Sequence, residues 1–310
     1  MKVVSFYRFV DLEDPQGLRL SLQSLCDEKG LLGTILLAEE GVNGTLAGSR
    51  EAVAAVLAWL RDTLALEEPI EARWTEAAGA PFRRMRVRSK KEIVTLGRPD
   101  IRPQRSTGRH VSPEEWNEII ENPETLVIDA RNHYEIEVGT FPNAVDPGTD
   151  SFRQFPKFAA QLAGADKDRP LAMCCTGGIR CEKATALMLE LGFHEVYQLR
   201  GGILNYLEQV AEADQRWSGE CFVFDSRVAV DRDLAEGGYV QCHACRRPLS
   251  SEDLQSRDYR EGVSCPRCIN DLDEERAKRL EERRRQVRLA HSRAEAHIGA
   301  VFPSSKTAKK

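Results

Sequence analysis

A cysteine at the head of a short glycine-containing loop is the strongest chemical feature of the chain. The loop reads Cys175-Thr176-Gly177-Gly178-Ile179-Arg180. Before it stands Pro170-Leu171-Ala172-Met173-Cys174, an uncharged run that suits a buried parallel strand. After it, Cys181 to Gly192 combines strong helix formers, apolar residues at helical spacing and a closing glycine that suits a C-cap. Strand, loop and helix in that order aim backbone N–H groups at one point. A thiol among those groups, beside a helix N-terminus, ionises below the value of about 8.5 for a free thiol. Arg180 adds a fixed charge with fork geometry for an anion. The chemistry implied is a nucleophilic cysteine that carries or attacks sulfur. The alternative is a buried cysteine at a strand end, followed by a helix-capping loop.

Four more cysteines form two pairs, Cys242-x-x-Cys245 and Cys265-x-x-Cys268, with nineteen residues between them. Two such knuckles supply four thiolates for a tetrahedral zinc ion with no open position, so the metal would fold the module and do no chemistry. His243 lies inside the first knuckle as a spacer, while Arg246, Arg247 and Arg267 flank the ligands and suit a phosphate-facing surface.

The whole chain has 310 residues, 41% of them hydrophobic, which is ordinary for two or three soluble domains. No apolar run approaches the ~20 residues of a membrane-spanning helix. The first residues lack the apolar core and cleavage site of a secretory signal. The expected location is the cytoplasm, where nine cysteines read as metal ligands or reactive thiols. The net charge of −5 conceals segregation. Arg83 to Arg109 holds ten Lys/Arg against two acids, and Arg276 to Lys310 eleven against three. Two basic strips in an otherwise acidic chain imply a local polyanion contact, against the alternative of solvated surface and a basic tail.

The elements that must position these groups read in order. Val3–Val10 is a strand, Leu18–Cys26 a helix, Leu31–Leu37 and Val42–Leu46 strands about an Ala38–Gly41 turn, Arg50–Leu64 a helix and Ile70–Thr75 a strand. That order is the ferredoxin-like pattern. Glu39-Glu40-Gly41-Val42-Asn43-Gly44 is either a functional loop or a plain hairpin turn. Pro81–His110 reads as a connector lying over the surface, with strand candidates at Met85–Arg88 and Glu92–Leu96. Ser112-Pro113-Glu114-Glu115 is a capping box that starts a helix through Trp116, Ile119 and Ile120. Leu126–Ile128, Met173 and Val196–Leu199 mark strands, with helices over Phe152–Leu162, after Cys175, and over Ile203–Val210. Alternating strands and helices predict a parallel α/β sheet, whose ligands sit at the C-terminal strand ends. Asp129-x-Arg131 and Cys175 both fall there. Asp273–Ala296 is a charged helix with few apolar positions, and Ser304–Lys310 reads as disordered.

Residues 112–212 resemble a rhodanese domain through Asp129-x-Arg131, Glu135, Gly139, Cys175-x-x-Gly178-x-Arg180 and Leu199-x-Gly201-Gly202. The resemblance implies that Cys175 takes up sulfane sulfur as a persulfide. It implies that Thr176, Gly177, Gly178 and Ile179 line an anion-binding loop, that Arg180 helps hold an anionic donor, and that Asp129 and Arg131 brace the site. Counted from Cys174 the loop is Cys-x5-Arg, the length of cysteine phosphatases. Gly178 and Arg180 match rhodanese only with Cys175 as nucleophile. Cys181 either resolves a persulfide as a disulfide or is a small buried residue.

Over nearly the full length the arrangement resembles the rhodanese-related, oxygen-dependent tRNA uridine(34) hydroxylases, which make 5-hydroxyuridine at the wobble position. The carrying segments are Glu39–Thr45, Cys175–Lys183, Gly219–Asp225 and the four-cysteine module. The implied organisation is a ferredoxin-like, acylphosphatase-like α+β domain over 1–80, a basic connector over 81–110 and a rhodanese-like parallel α/β domain over 111–215. A four-cysteine zinc-binding module over 216–272 and a basic helix and tail over 273–310 complete it. The resemblance implies the anticodon region of tRNA as partner, structural zinc, molecular oxygen as co-substrate and an unidentified sulfur donor. No two-histidine-one-carboxylate triad for iron and no flavin or dinucleotide fingerprint is evident. Two rival functions are a plain sulfurtransferase and a non-catalytic tRNA- or protein-binding module.

Overall fold

Along Lys2–Phe9 (β1), Val4 and Phe6 turn inward while Ser5 and Tyr7 stay accessible, the alternation of a strand with one covered face. Pro15–Glu28 (α1) starts where the Asp14 side chain accepts from the Gly17 N–H, and buries Leu22 and Cys26. Leu32–Ala38 (β2) and Gly41–Gly48 (β3) form a hairpin about Glu39 and Glu40. Arg50–Thr63 (α2), capped by Ser49, turns Val53, Val56 and Leu60 onto the same core, and Ala72–Glu76 (β4) pairs with β1. Met85–Ser89 (β5) then adds in parallel to β2, giving a sheet ordered β4-β1-β3-β2-β5. The two helices cover one face of this sheet and leave the other open. The computed structural model describes residues 1–77 and 79–293.

The stretch expected to be a surface connector is a correction. Its first strand is an integral edge of the N-terminal sheet. Glu92–Leu96 is not a strand, because the Glu92 carboxylate accepts the Leu96 and Gly97 N–H groups, both at 3.0 Å, and closes a turn. Ile93, Leu96 and Ile101 are buried, Leu96 and Ile101 within the core of the next layer.

That layer is a parallel sheet of Arg109–Val111 (β6), Leu126–Asp129 (β7), Leu171–Cys174 (β9) and Val196–Leu199 (β10), ordered β6-β10-β9-β7. Pro113–Glu121 (α3), with the expected capping box, and Gly202–Gln209 (α7) cover one face with Trp116, Ile203 and Tyr206. Phe155–Gln161 (α5) and Ile179–Glu190 (α6) cover the other. His133–Ile136 (α4) and the short strand Gly139–Thr140 (β8) follow β7. Ser218–Gly219 (β11) pairs with β8, and Cys221–Phe222 (β12) pairs with Ala229–Val230 (β13). Trp217, Cys221, Val223 and Val230 join the core beneath α7.

The chain divides into two compact units at Gly237. In the second, Val240–Gln241 (β14) and Pro248–Leu249 (β15) form a hairpin, followed by Ser251–Gln255 (α8) and Glu274–Ser292 (α9). The end of the charged helix at Ala296 and the expected disorder of Ser304–Lys310 fall outside the described residues. Among the described residues no helix is long and apolar enough to cross a membrane.

Candidate active site and metal centre

The end of β9 separates two adjacent thiols. Cys174 points into the core with Trp116 and Ile203, and burial raises its pKa well above the ordinary range. Cys175 points the other way, at the floor of a cleft. Burial pushes the Cys175 thiol up. A hydrogen bond from the Cys181 thiol, the Arg180 charge and the N–H groups of Cys181 and Arg180 outweigh it and leave its pKa at about 6. Cys175 is therefore mostly thiolate at neutral pH. Cys181 is fully buried, and desolvation together with its donation to Cys175 keeps it a thiol.

The loop is fixed from behind. The Ile203 N–H donates to the Cys175 carbonyl at 2.9 Å, and the Leu204 N–H to the Thr176 carbonyl at 3.1 Å. The first turn of α7 thus takes up the loop carbonyls. Gly202 is required there, because a Cβ would lie 2.4 Å from the Cys175 carbonyl oxygen. Gly178 reverses the chain at φ +92° ahead of α6, a backbone region that favours glycine.

Arg180 forks onto Glu135, with Nη1 to Oε1 at 2.7 Å and Nη2 to Oε2 at 2.8 Å, and Nη2 also reaches Thr176 Oγ1 at 3.3 Å. Glu135 is braced in turn. Arg131, fully buried, pairs with Asp129 through Nε and Nη2 and donates to the carbonyls of Glu135 and Gly139. The chain of contacts runs Asp129, Arg131, Glu135, Arg180, Cys175. Burial makes each pair depend on its partner, since an unpaired charge there would be costly.

Sequence reasoning did not give roles to the groups on the next turn of α6. Nine consecutive residues, Arg180 to Met188, are buried, because α6 is flanked by its own sheet on one side and by the N-terminal sheet's loops on the other. Glu182 accepts from Tyr7 at 3.1 Å and from His110 at 2.9 Å. Lys183 pairs with Glu40 and Glu92. Glu40 also accepts the Ile93 N–H at 2.7 Å, and Asn43 donates to the Ile93 carbonyl at 3.0 Å. The Glu39–Gly44 loop is thus a hairpin turn that also docks the two layers. The sequence signals for these groups are the charged residues inside an apolar helical pattern and their place in the Glu39–Thr45 and Cys175–Lys183 segments.

The cleft, about 1270 Å³, lies between the open face of the N-terminal sheet and the Cys175 loop. Ser5, Tyr7, Asn43 and Thr45 line one side and Cys175 to Gly177, Ile179 and Arg180 the other, with Phe224 also in the lining. It has room for a nucleotide-sized substrate as well as for sulfur.

In the second unit the sulfurs of Cys242, Cys245, Cys265 and Cys268 lie within 4.8 Å of one another, with Cys245 and Cys265 at 3.7 Å and Cys265 and Cys268 at 3.5 Å. A tetrahedral zinc with Zn–S bonds of about 2.3 Å sets its sulfurs about 3.8 Å apart, so this donor set fits that ion. Four thiolates leave no position for substrate.

A reactive thiolate in a strand–loop–helix turn, on a parallel sheet joined to a five-stranded α+β domain, defines a rhodanese-like protein with an acylphosphatase-like partner domain. The family model described as UPF0176 acylphosphatase like domain matches residues 1–93, and that of the Rhodanese-like domain matches 112–209. The tRNA uridine(34) hydroxylase of Gluconobacter oxydans (strain 621H) is 48% identical over 303 residues, 96% of each chain. The chain belongs to the tRNA uridine(34) hydroxylase family. Among solved structures, the rhodanese-like domain of an Anabaena sp protein is 16% identical with a TM-score of 0.30, covering 36% of this chain and 80% of its own. An acylphosphatase from Coxiella burnetii is 20% identical with a TM-score of 0.21, covering 28% and 90%.

Proposed function

We propose that the protein hydroxylates uridine 34 of tRNA to 5-hydroxyuridine, with molecular oxygen as co-substrate and Cys175 as the reacting cysteine, loaded as a persulfide. The observation that carries this reading is the thiolate at Cys175 on the floor of a cleft whose opposite side belongs to the N-terminal sheet. A sulfur carrier alone needs no such second side. The Cys175 thiolate attacks the sulfane sulfur of a donor, and the bond from that sulfur to the rest of the donor breaks. The remainder leaves with the electron pair (sulfite from thiosulfate, a thiolate from a persulfide), so that Cys175 keeps the sulfur as a persulfide. Arg180, steadied by Glu135, holds the loop's charge. Cys181 supplies the hydrogen bond that keeps the neighbouring sulfur anionic. Asp129 and Arg131 brace Glu135. The sulfane sulfur is either the electron source or the oxygen-activating group, and its donor is a separate, unidentified carrier of sulfane sulfur, such as a persulfide or thiosulfate. Cys242, Cys245, Cys265 and Cys268 would hold zinc, which supplies folding energy to its module. The domain order follows the same reading, with the ferredoxin-like part ahead of the rhodanese-like part and the metal module last, while Met85–Ser89 belongs to the first sheet and residues 217–230 to the rhodanese-like core. The working location is the cytoplasm, where tRNA is found.

The test is mass spectrometry of tRNA nucleosides from a strain lacking the protein, and from the same strain restored with wild type or with Cys175→Ala. Only wild type should restore 5-hydroxyuridine or its derivatives. Unchanged nucleosides in all strains would overturn the assignment. A second reading, sulfurtransfer from thiosulfate to a thiol acceptor, is favoured by the rhodanese-like match over residues 112–209 and by the same low-pKa thiolate. It predicts sulfite release from thiosulfate and a persulfide on the acceptor thiol, with no change in tRNA.

A further inference from the structure

Folding makes the long basic stretch unequal along its length. Arg98 pairs with Asp100 and Glu190, Arg102 lies 3.9 Å from Asp11, and Arg109 lies 3.5 Å from Glu115. Arg84, Arg86 and Arg88 have no carboxylate partner among the described residues. Arg86 and Arg88 alternate along β5 with Met85 and Val87, which turn toward the helix-covered core, and Arg84 continues the alternation just before the strand. Desolvation lowers the pKa of Arg86, and so do the neighbouring charges of Arg84 and Arg88. Three guanidinium groups therefore stand at alternate positions on one edge of the sheet with no carboxylate paired to them among the described residues. Such a strip lowers its own repulsion by taking up a polyanion.

Register fixes where the strip faces. Arg86 stands opposite Thr34, and Arg88 opposite Leu36. Thr34 continues through Thr45 to Ser5, and Leu36 through Asn43 to Tyr7. All six of these floor residues line the cleft that holds Cys175. Partners directly across a sheet share a face, so the strip and the cleft floor lie on one surface. Phe82 and Val94, which bracket β5 in sequence, line the cleft as well. Three strand spacings of about 4.8 Å put β1 about 14 Å from β5, within reach of a short run of nucleotides.

We infer that Arg84, Arg86 and Arg88 hold the phosphate backbone of a single-stranded RNA segment and direct the adjoining base across the floor of β2, β3 and β1 to Cys175. The inference rests on the tRNA reading above and names the residues that grip its substrate. Alternate side chains on a strand stand about 6.8 Å apart, so the three arginines meet successive phosphates instead of clustering on one. Bases of an anticodon loop are already splayed for such a floor, and a charged rail beside it is the general pattern of single-strand binding.

The experiment compares the full-length wild type with an Arg84→Gln/Arg86→Gln/Arg88→Gln variant, binding a tRNA transcript with uridine at position 34 over a series of salt concentrations. Each single-strand phosphate contact contributes about 0.7 to the slope of log K on log salt, so loss of three should reduce the slope by about 2. Affinity should fall at least tenfold at about 0.15 M salt, and the same loss should appear as a raised KM for tRNA. Alkylation of Cys175 by iodoacetamide should keep its wild-type pH midpoint, showing that fold and thiol are intact. Arg19→Gln, on the opposite side of the sheet in α1, should leave the slope unchanged. A triple variant with wild-type affinity and slope would overturn the inference. A wild type that binds through the strip but forms no 5-hydroxyuridine would leave the strip standing and remove the hydroxylase reading.

Discussion

The Lys183 ammonium sits 2.8 Å from the Glu40 carboxylate, 143 residues away in sequence and shielded from solvent. Glu92 approaches the same nitrogen at 2.6 Å. The helix that follows the Cys175 loop is thereby tied to the N-terminal hairpin and to the turn after β5. Removing one partner of a buried ion pair leaves an uncompensated charge, which costs about 3–5 kcal/mol. Lys183→Met should therefore lower the urea unfolding midpoint by that equivalent. Combining it with Glu40→Gln should recover part of the loss, because one of the two buried carboxylates is then neutral and its amide oxygen still accepts the Ile93 N–H. A loss under about 1 kcal/mol for Lys183→Met would mean that the pairing adds no more than an exposed one.

Reactivity of Cys175 should follow its ionisation. With a pKa of about 6, the thiolate fraction rises with pH through 6 and is nearly complete above pH 7. Alkylation by iodoacetamide should show that midpoint and then level off. Cys181→Ala removes a donor that favours the anion, so its midpoint should move up. A wild-type midpoint near the free-thiol value of about 8.5 would mean that the loop does not stabilise the thiolate.

The loop, its strand and its helix were legible because each carries a local signal: the uncharged run to Cys174, the glycines, and the apolar spacing to Leu191. The parallel sheet followed from the same alternation. The edge strand Met85–Ser89 was legible as a strand and not as part of the N-terminal sheet, since parallel pairing to β2 is a long-range contact that no local pattern encodes. Glu92–Leu96 has strand-like composition, but side-chain hydrogen bonds from Glu92 compete with the ladder and win. Tyr7 and Glu182 were invisible as site neighbours for a related reason. Tyr7 reads as any residue on the wet face of a strand, and it reaches the site only because the open sheet face meets α6.

Metal removal should unfold only what the metal holds. Cys242, Cys245, Cys265 and Cys268 form a closed sulfur set, and β14, β15 and α8 bury little else. One zinc per chain is expected by elemental analysis of purified protein. Cys265→Ser or chelation should release it and open residues after Gly237 to limited proteolysis, because binding energy in such modules is folding energy. A metal-free protein with an uncut second unit would show that the four thiols fold their module unaided.

His110 offers a test of the network behind the loop. Its Nε2 lies 2.9 Å from Glu182, which also accepts from Tyr7 at 3.1 Å, Thr107 at 3.1 Å and Gln198 at 3.2 Å. The hydrogen bond to Glu182 raises the His110 pKa against the opposing effect of burial. The folded state therefore binds the proton more tightly than the unfolded chain, whose histidine titrates near 6.5. Stability from this contact should be full below about pH 6.5 and fade as pH rises through the higher folded value. An NMR titration should place the His110 midpoint above 6.5, and Glu182→Gln should bring it down. The stability gap between wild type and His110→Gln should be widest at acidic pH and close at alkaline pH. A gap that stays constant from pH 5 to 9 would mean that the imidazole packs against Glu182 without exchanging charge with it.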